Sequence, residues 1–213
     1  MRATFAKYLL LGLVLAALLA GPQVAAAQEI AIRITLNTLH ASSLDDGIAD
    51  STVESYGTIQ IDNIESPSAI VQWNRHLCEH DCLLTSRPPY TTSFRSGRTR
   101  NWSDMFLAVQ SPPAFHTFDI PTSSYRQSNN VIVIRRSGDA DIARSLTIFF
   151  SFSDHDDGSL DDVWCDTDHK RELVRGGRRA QDWLNAKPAT HTISARGEDG
   201  RCQVTLTVEA FAP

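Results

Sequence analysis

The chain has 213 residues, with 20 Lys and Arg against 25 Asp and Glu, and its formal charge of -5 disfavours nucleic acid as a partner. With 42% apolar residues it can build a substantial core, and its length suits one domain better than two.

Residues 1–27 read as an export signal. Arg2 and Lys7 precede the uncharged apolar run from Tyr8 to Ala20, and Ala25-Ala26-Ala27 supplies a small-residue cleavage site before Gln28. That run is shorter than the about 20 residues that span a bilayer, and no later stretch offers a transmembrane segment. The expectation is a secreted or periplasmic protein whose residues 28–213 form a single domain. Loss of Arg2 and Lys7 takes its formal charge from -5 to -7.

The first strand signal follows at once. Ile30, Ile32, Ile34 and Leu36 alternate with Ala31, Arg33, Thr35 and Asn37, the period of a half-buried strand. An acidic turn, Leu44-Asp45-Asp46-Gly47-Ile48-Ala49-Asp50, then leads through Val53-Glu54-Ser55 to a strand predicted at Tyr56–Ile61. The stretch Val71–Leu84 suggests a short helix and contains His76-Leu77-Cys78-Glu79-His80. That is the His-x-x-Glu-His spacing in which two imidazoles hold zinc and the Glu serves as base. No Glu between Glu79 and Glu172 offers the third acidic ligand, and Cys78 and Cys82 favour an oxidised loop that would distort the helix. A small zinc metallohydrolase using His76, Glu79 and His80 is therefore the alternative reading.

Further strands are predicted at Met105–Val109, Val131–Arg135, Leu146–Phe152, Thr190–Ala195 and Gln203–Phe211, separated by turn formers such as Arg87-Pro88-Pro89 and Ser137-Gly138-Asp139. The only other helical signal, Arg171–Ala186, is interrupted by Gly176-Gly177. The predicted fold class is all-β: a single antiparallel β-sandwich with long loops and at most short helices. Four cysteines in an exported chain predict two disulfides. Three pairings are open, and the local Cys78–Cys82 with the long-range Cys165–Cys202 is favoured.

Directly after Leu146–Phe152 comes Asp154-His155-Asp156-Asp157-Gly158-Ser159-Leu160-Asp161-Asp162. From Asp154 to Asp168 there are seven aspartates and no Lys, Arg or Glu. Such crowding is relieved by a cation, and calcium takes about 6–8 oxygen ligands of this kind. An EF-hand is excluded, since counting from Asp154 puts Gly158 fifth and Cys165 twelfth. The cluster Lys170, Arg171, Arg175, Arg178 and Arg179 just beyond reads as a basic face balancing these aspartates. No Gly-x-Ser-x-Gly elbow is present, so serine catalysis has no anchor.

Asp154, Asp156 and Asp162 after Phe149-Phe150-Ser151-Phe152 have the Asp-x-Asp spacing, with a further Asp eight residues on, of a C2-type calcium loop. Asp46, Gly47 and Asp50 or Glu54 before Ser55-Tyr56 resemble that family's earlier loop. In this respect the chain resembles the C2-type domain, a β-sandwich that binds calcium in loops at one end. The acidic loops begin 108 residues apart (154 minus 46), so the resemblance implies insertions into the module. It also implies metal ligands at Asp46, Asp50, Glu54, Asp154, Asp156 and Asp162, no catalysis, and calcium-dependent binding to a membrane, a glycan or an extracellular protein.

Overall fold

A computed structural model describes residues 28–44, 52–62, 68–73, 92–105, 107–110, 126–128, 130–154 and 162–213. In chain order the strands are β1 (Glu29–Leu44), β2 (Thr52–Ile61), β3 (Ala69–Trp73), β4 (Thr92–Arg95), β5 (Arg98–Asn101), β6 (Leu107–Gln110), β7 (Arg126–Ser128) and β8 (Val131–Ser137). They continue with β9 (Leu146–Asp154), β10 (Val163–Asp166), β11 (Arg171–Val174), β12 (Ala189–Arg196) and β13 (Gly200–Phe211). Two short helices, α1 (Asp139–Ile142) and α2 (Ala180–Leu184), and a 3-10 turn at Trp102–Asp104 complete the described elements. The all-β class predicted from the alternation holds.

Every pairing among the described strands is antiparallel, and they form two sheets. The first runs β12-β13-β1, with β8 and β5 paired to successive stretches of β1. The second runs β9-β2-β3-β6-β7, with β10 and β11 sharing one edge of β9 and β4 extending the line of β3 beside β2. Burial follows the two-residue period: on β8, Ile132, Ile134 and Arg136 face inward while Val131, Val133 and Arg135 face out. The core between the sheets joins Ile30, Ile32, Ile34 and Leu36 to an aromatic cluster of Trp73, Phe94, Trp102, Phe150, Phe152 and Trp164. Trp73 meets Phe94, Trp102 and Phe152 edge-on, with centroids 5.1–5.8 Å apart.

Some sequence expectations are corrected. Residues 71–73, read as the start of a helix, belong to β3, because Val71 and Trp73 are buried with strand alternation and pair with β6. Residues 171–174, read as helix, are β11, hydrogen-bonded along β9; the helix begins only at Ala180, past Gly176 and Gly177. Met105 precedes its strand, which starts at Leu107. The favoured pairing Cys165–Cys202 is present and ties β10 in one sheet to β13 in the other. The segment 1–27 and the pair Cys78 and Cys82 lie outside the described residues. A disulfide agrees with an extracellular location, and no helix among the described residues is long and apolar enough to cross a membrane.

Gly57 shows how closely β2 and β9 approach. A Cβ there would strike the carbonyl oxygen of Ser151 and the ring of Phe152. Backbone cannot yield as a side-chain end can. Gly57→Ala is therefore expected to cost about 1–3 kcal/mol in chemical unfolding, whereas a cost within experimental error would show that β9 tolerates displacement.

Candidate functional site: the end of the sandwich that carries the acidic loops

β2 and β9 are antiparallel neighbours, with Ser55 opposite Asp154, Gly57 opposite Phe152 and Ile61 opposite Ile148. The N-terminal end of β2 therefore lies beside the C-terminal end of β9. The first acidic stretch leads into β2 and the second leaves β9, so both join the fold at this one end. Residues directly opposite in such a ladder have Cα atoms about 4.5–5.5 Å apart.

Asp154 is the last residue of β9 and continues the inward series Ile148, Phe150 and Phe152, which makes it a buried carboxyl at the rim of the aromatic core. Its backbone N–H donates to the carbonyl oxygen of Asp162 at 2.8 Å, so the two legs of the second acidic loop are pinned together. Asp162 is exposed. Beneath them the Trp164 indole N–H donates to Ser55 Oγ at 2.6 Å, both residues being fully buried. This bond links β10 directly to β2. β10 is also seated on Gly197, where a Cβ would strike the Val163 carbonyl oxygen.

The β2 side extends further. Thr52, Val53 and Glu54 run past Asp154 and pair with Arg95, Phe94 and Ser93 of β4. Glu54 thus holds a backbone position one residue from the Ser55–Asp154 pair. Thr52 Oγ1 is buried and has no hydrogen-bond partner among the described residues. Such an orphaned oxygen is a position where a polar ligand or an ion would be accepted.

Of the six ligands expected from the sequence, Asp154 and Asp162 are described and lie at the two legs of one loop, and Glu54 is described in its backbone. Asp46, Asp50 and Asp156 lie outside the described residues, as do His76, Glu79 and His80 of the zinc alternative. Among the described residues no group of three or more His, Cys, Asp or Glu is placed to hold a metal ion.

The basic cluster does not act as a unit. Arg179 pairs with Asp182 at 3.3 Å, and the backbone and side-chain hydrogen bonds it donates hold that carboxyl below its ordinary pKa. Arg178 lies over the Trp183 ring at 5.6 Å, and Arg171 lies 3.1 Å from the His169 imidazole.

At the opposite end, sequence reading missed a buried ion pair. Arg136, pointing inward from β8, binds Asp62 at the end of β2 and also donates to the carbonyl oxygens of Arg144 at 2.7 Å and Ser145 at 3.1 Å. The Trp183 ring lies 5.5 Å from its guanidinium. Its signal was available: Arg136 keeps the two-residue phase of Ile132 and Ile134.

No protein-family model matches the chain, and no curated protein does. Solved structures similar to it include human GIVD cytosolic phospholipase A2 in complex with methyl gamma-linolenyl fluorophosphonate, at 11% identity and a TM-score of 0.37 over 88% of this chain. The chain spans only 18% of that protein's length. A C2 domain protein from Ramazzottius varieornatus matches at 15% identity and a TM-score of 0.37, over 88% of this chain and 91% of that one. A C2 domain of a plant Extended Synaptotagmin 1 matches at 6% identity and a TM-score of 0.36, over 86% and 96%. Matches of this strength carry neither ligand nor partner across. The chain is similar to C2 domains of known structure, the type of sandwich that its acidic loops resemble.

Proposed function

We propose that this protein is an exported, non-enzymatic calcium-binding β-sandwich module that docks on a membrane, glycan or protein surface when calcium is bound. The observation that carries the reading is the register of β2 against β9, with Ser55 opposite Asp154, which brings the attachment points of both acidic loops to one end. The donor types suit the ion: carboxylates and a buried hydroxyl oxygen at Thr52, unpartnered among the described residues, are hard oxygen ligands of the kind calcium takes. In this reading Asp154, Asp156 and Asp162 supply one side of the site, and Asp46 with Asp50 or Glu54 the other. Calcium would neutralise the crowded carboxylates, while the protein's own part is to hold the loop legs through the Asp154–Asp162 backbone bond and the Trp164–Ser55 bond.

Thermal unfolding in calcium and in chelator tests the proposal. Calcium at 100 times its dissociation constant is expected to add about 2.7 kcal/mol of stability. Asp154→Asn with Asp156→Asn should abolish that gain. An unfolding curve indifferent to calcium sinks the reading.

A further inference from the structure

Away from the acidic loops, β11 and β12 form facing edges of the two sheets, and the gap between them opens into a cleft of about 190 Å³. Leu173 of β11, Trp183 of α2, and Val208 and Ala210 of β13 give it apolar walls. Three cations line it as well: Arg175, Arg178 and Lys187. None of the three has an ion-pair partner among the described residues. Of the neighbouring carboxyl groups, Asp182 is held by Arg179 and also feels Arg178, while Glu172 is engaged by Ser145 and Glu209 by Arg33, which leaves Arg175 and Lys187 without a counter-charge.

His191 completes the lining. It sits on the inward side of β12 opposite Leu206, and its Nε2 is buried without a hydrogen-bond partner among the described residues. Burial lowers the imidazole's pKa below its ordinary value, which favours the neutral ring, and a neutral imidazole offers one N–H donor and one bare nitrogen. A buried polar atom left unpaired costs stability, and a ligand that pairs it recovers that cost. Two cations without a counter-charge, Arg175 and Lys187, an imidazole nitrogen unpaired among the described residues and apolar walls call for one ligand with a negative end and an apolar body.

We propose that this cleft binds a small carboxylate carried on a flat apolar body, such as a one-ring aromatic acid. The carboxylate meets Arg175, Lys187 and His191, and the ring lies against Leu173, Val208 and Ala210, with Arg178 already seated over Trp183 at the margin. Size limits the class, since drug-sized ligands occupy pockets of about 300–1,000 Å³. The site is independent of the calcium reading and uses none of its residues.

Calorimetric titration of the purified full chain with benzoate tests this. Saturable one-to-one binding is expected, weakened about tenfold or more in Arg175→Gln and in Lys187→Gln, because each loses a charge-assisted hydrogen bond. Both positions are exposed, so folding is expected to be unaffected, which their melting temperatures check. Arg196→Gln, also on β12 but outside the cleft, should leave the affinity unchanged. Absence of saturable binding overturns the proposal, as does equal affinity in the Arg175 and Lys187 variants. Equal binding of benzyl alcohol would reduce the cleft to an apolar pocket, and displacement of benzoate by an equal concentration of inorganic phosphate would remove the apolar body from the ligand class. Either result overturns the site as stated.

Discussion

Asp62→Asn is expected to lower the free energy of unfolding by about 3–5 kcal/mol, because it leaves the Arg136 guanidinium buried without its counter-charge. Arg136 is 1% exposed and bridges the sheets, holding Asp62, the residue that follows β2, and two carbonyl oxygens that precede β9. Asp62 in turn accepts from Ser68 Oγ at 2.5 Å and receives the Thr147 backbone carbonyl as partner for its own N–H at 2.8 Å. Its φ of 81° is left-handed, a conformation that Asn adopts as readily as Asp, so this substitution isolates the charge. The carbonyl oxygens of Arg144 and Ser145 would remain as acceptors, but they carry no counter-charge, and Arg136 Nε is buried without a partner among the described residues. The contrast is Arg135, whose exposed pair with Glu29 at 3.1 Å should be worth less than about 1 kcal/mol when Arg135→Ala is made. Urea unfolding of the two variants checks both. Similar small losses at the two positions would show that the buried pair is solvated.

Removing the Cys165–Cys202 disulfide by substituting both cysteines with Ala is expected to cost about 4 kcal/mol, the chain-entropy value for a loop of this length. The bridge closes 37 residues and spans the two sheets with Cα atoms 5.9 Å apart. Both cysteines are buried, so Ala also loses packing at Trp164's neighbour. The consequence reaches the proposed site: β10 carries Trp164, whose indole holds Ser55, and follows Asp162, the far leg of the second acidic loop. Urea unfolding of the double-Ala variant beside the parent protein, both under oxidising conditions, measures the effect. Equal stability in the two would mean that sheet pairing alone seats β10.

The disulfide was the pairing that sequence reading favoured, whereas the buried Asp62–Arg136 pair lay beyond it. The alternation of Ile30, Ile32, Ile34 and Leu36 and of the residues of β9 was legible, because each strand buries one face, and those strands appear where expected. β5 was not legible: its four residues Arg98–Asn101 are all exposed, so they carry no apolar period. β11 was mistaken for helix because Arg171–Val174 is short and one of its four residues is buried. The neighbourhood of the acidic loops depends on pairing between residues about a hundred positions apart, which no local pattern encodes. Charged residues that keep the phase of a buried strand were the unused signal. Asp154 follows Phe150 and Phe152 in step, as Arg136 follows Ile132 and Ile134, and both are buried.

The central claim is that the acidic end of the sandwich binds calcium, and calorimetric titration of calcium into the purified protein tests it most directly. Saturable binding is predicted, at least about tenfold weaker when Asp154 and Asp156 are both replaced by Asn, since each change removes a charged ligand. Absence of binding, or an affinity unchanged in that double variant, would contradict the account.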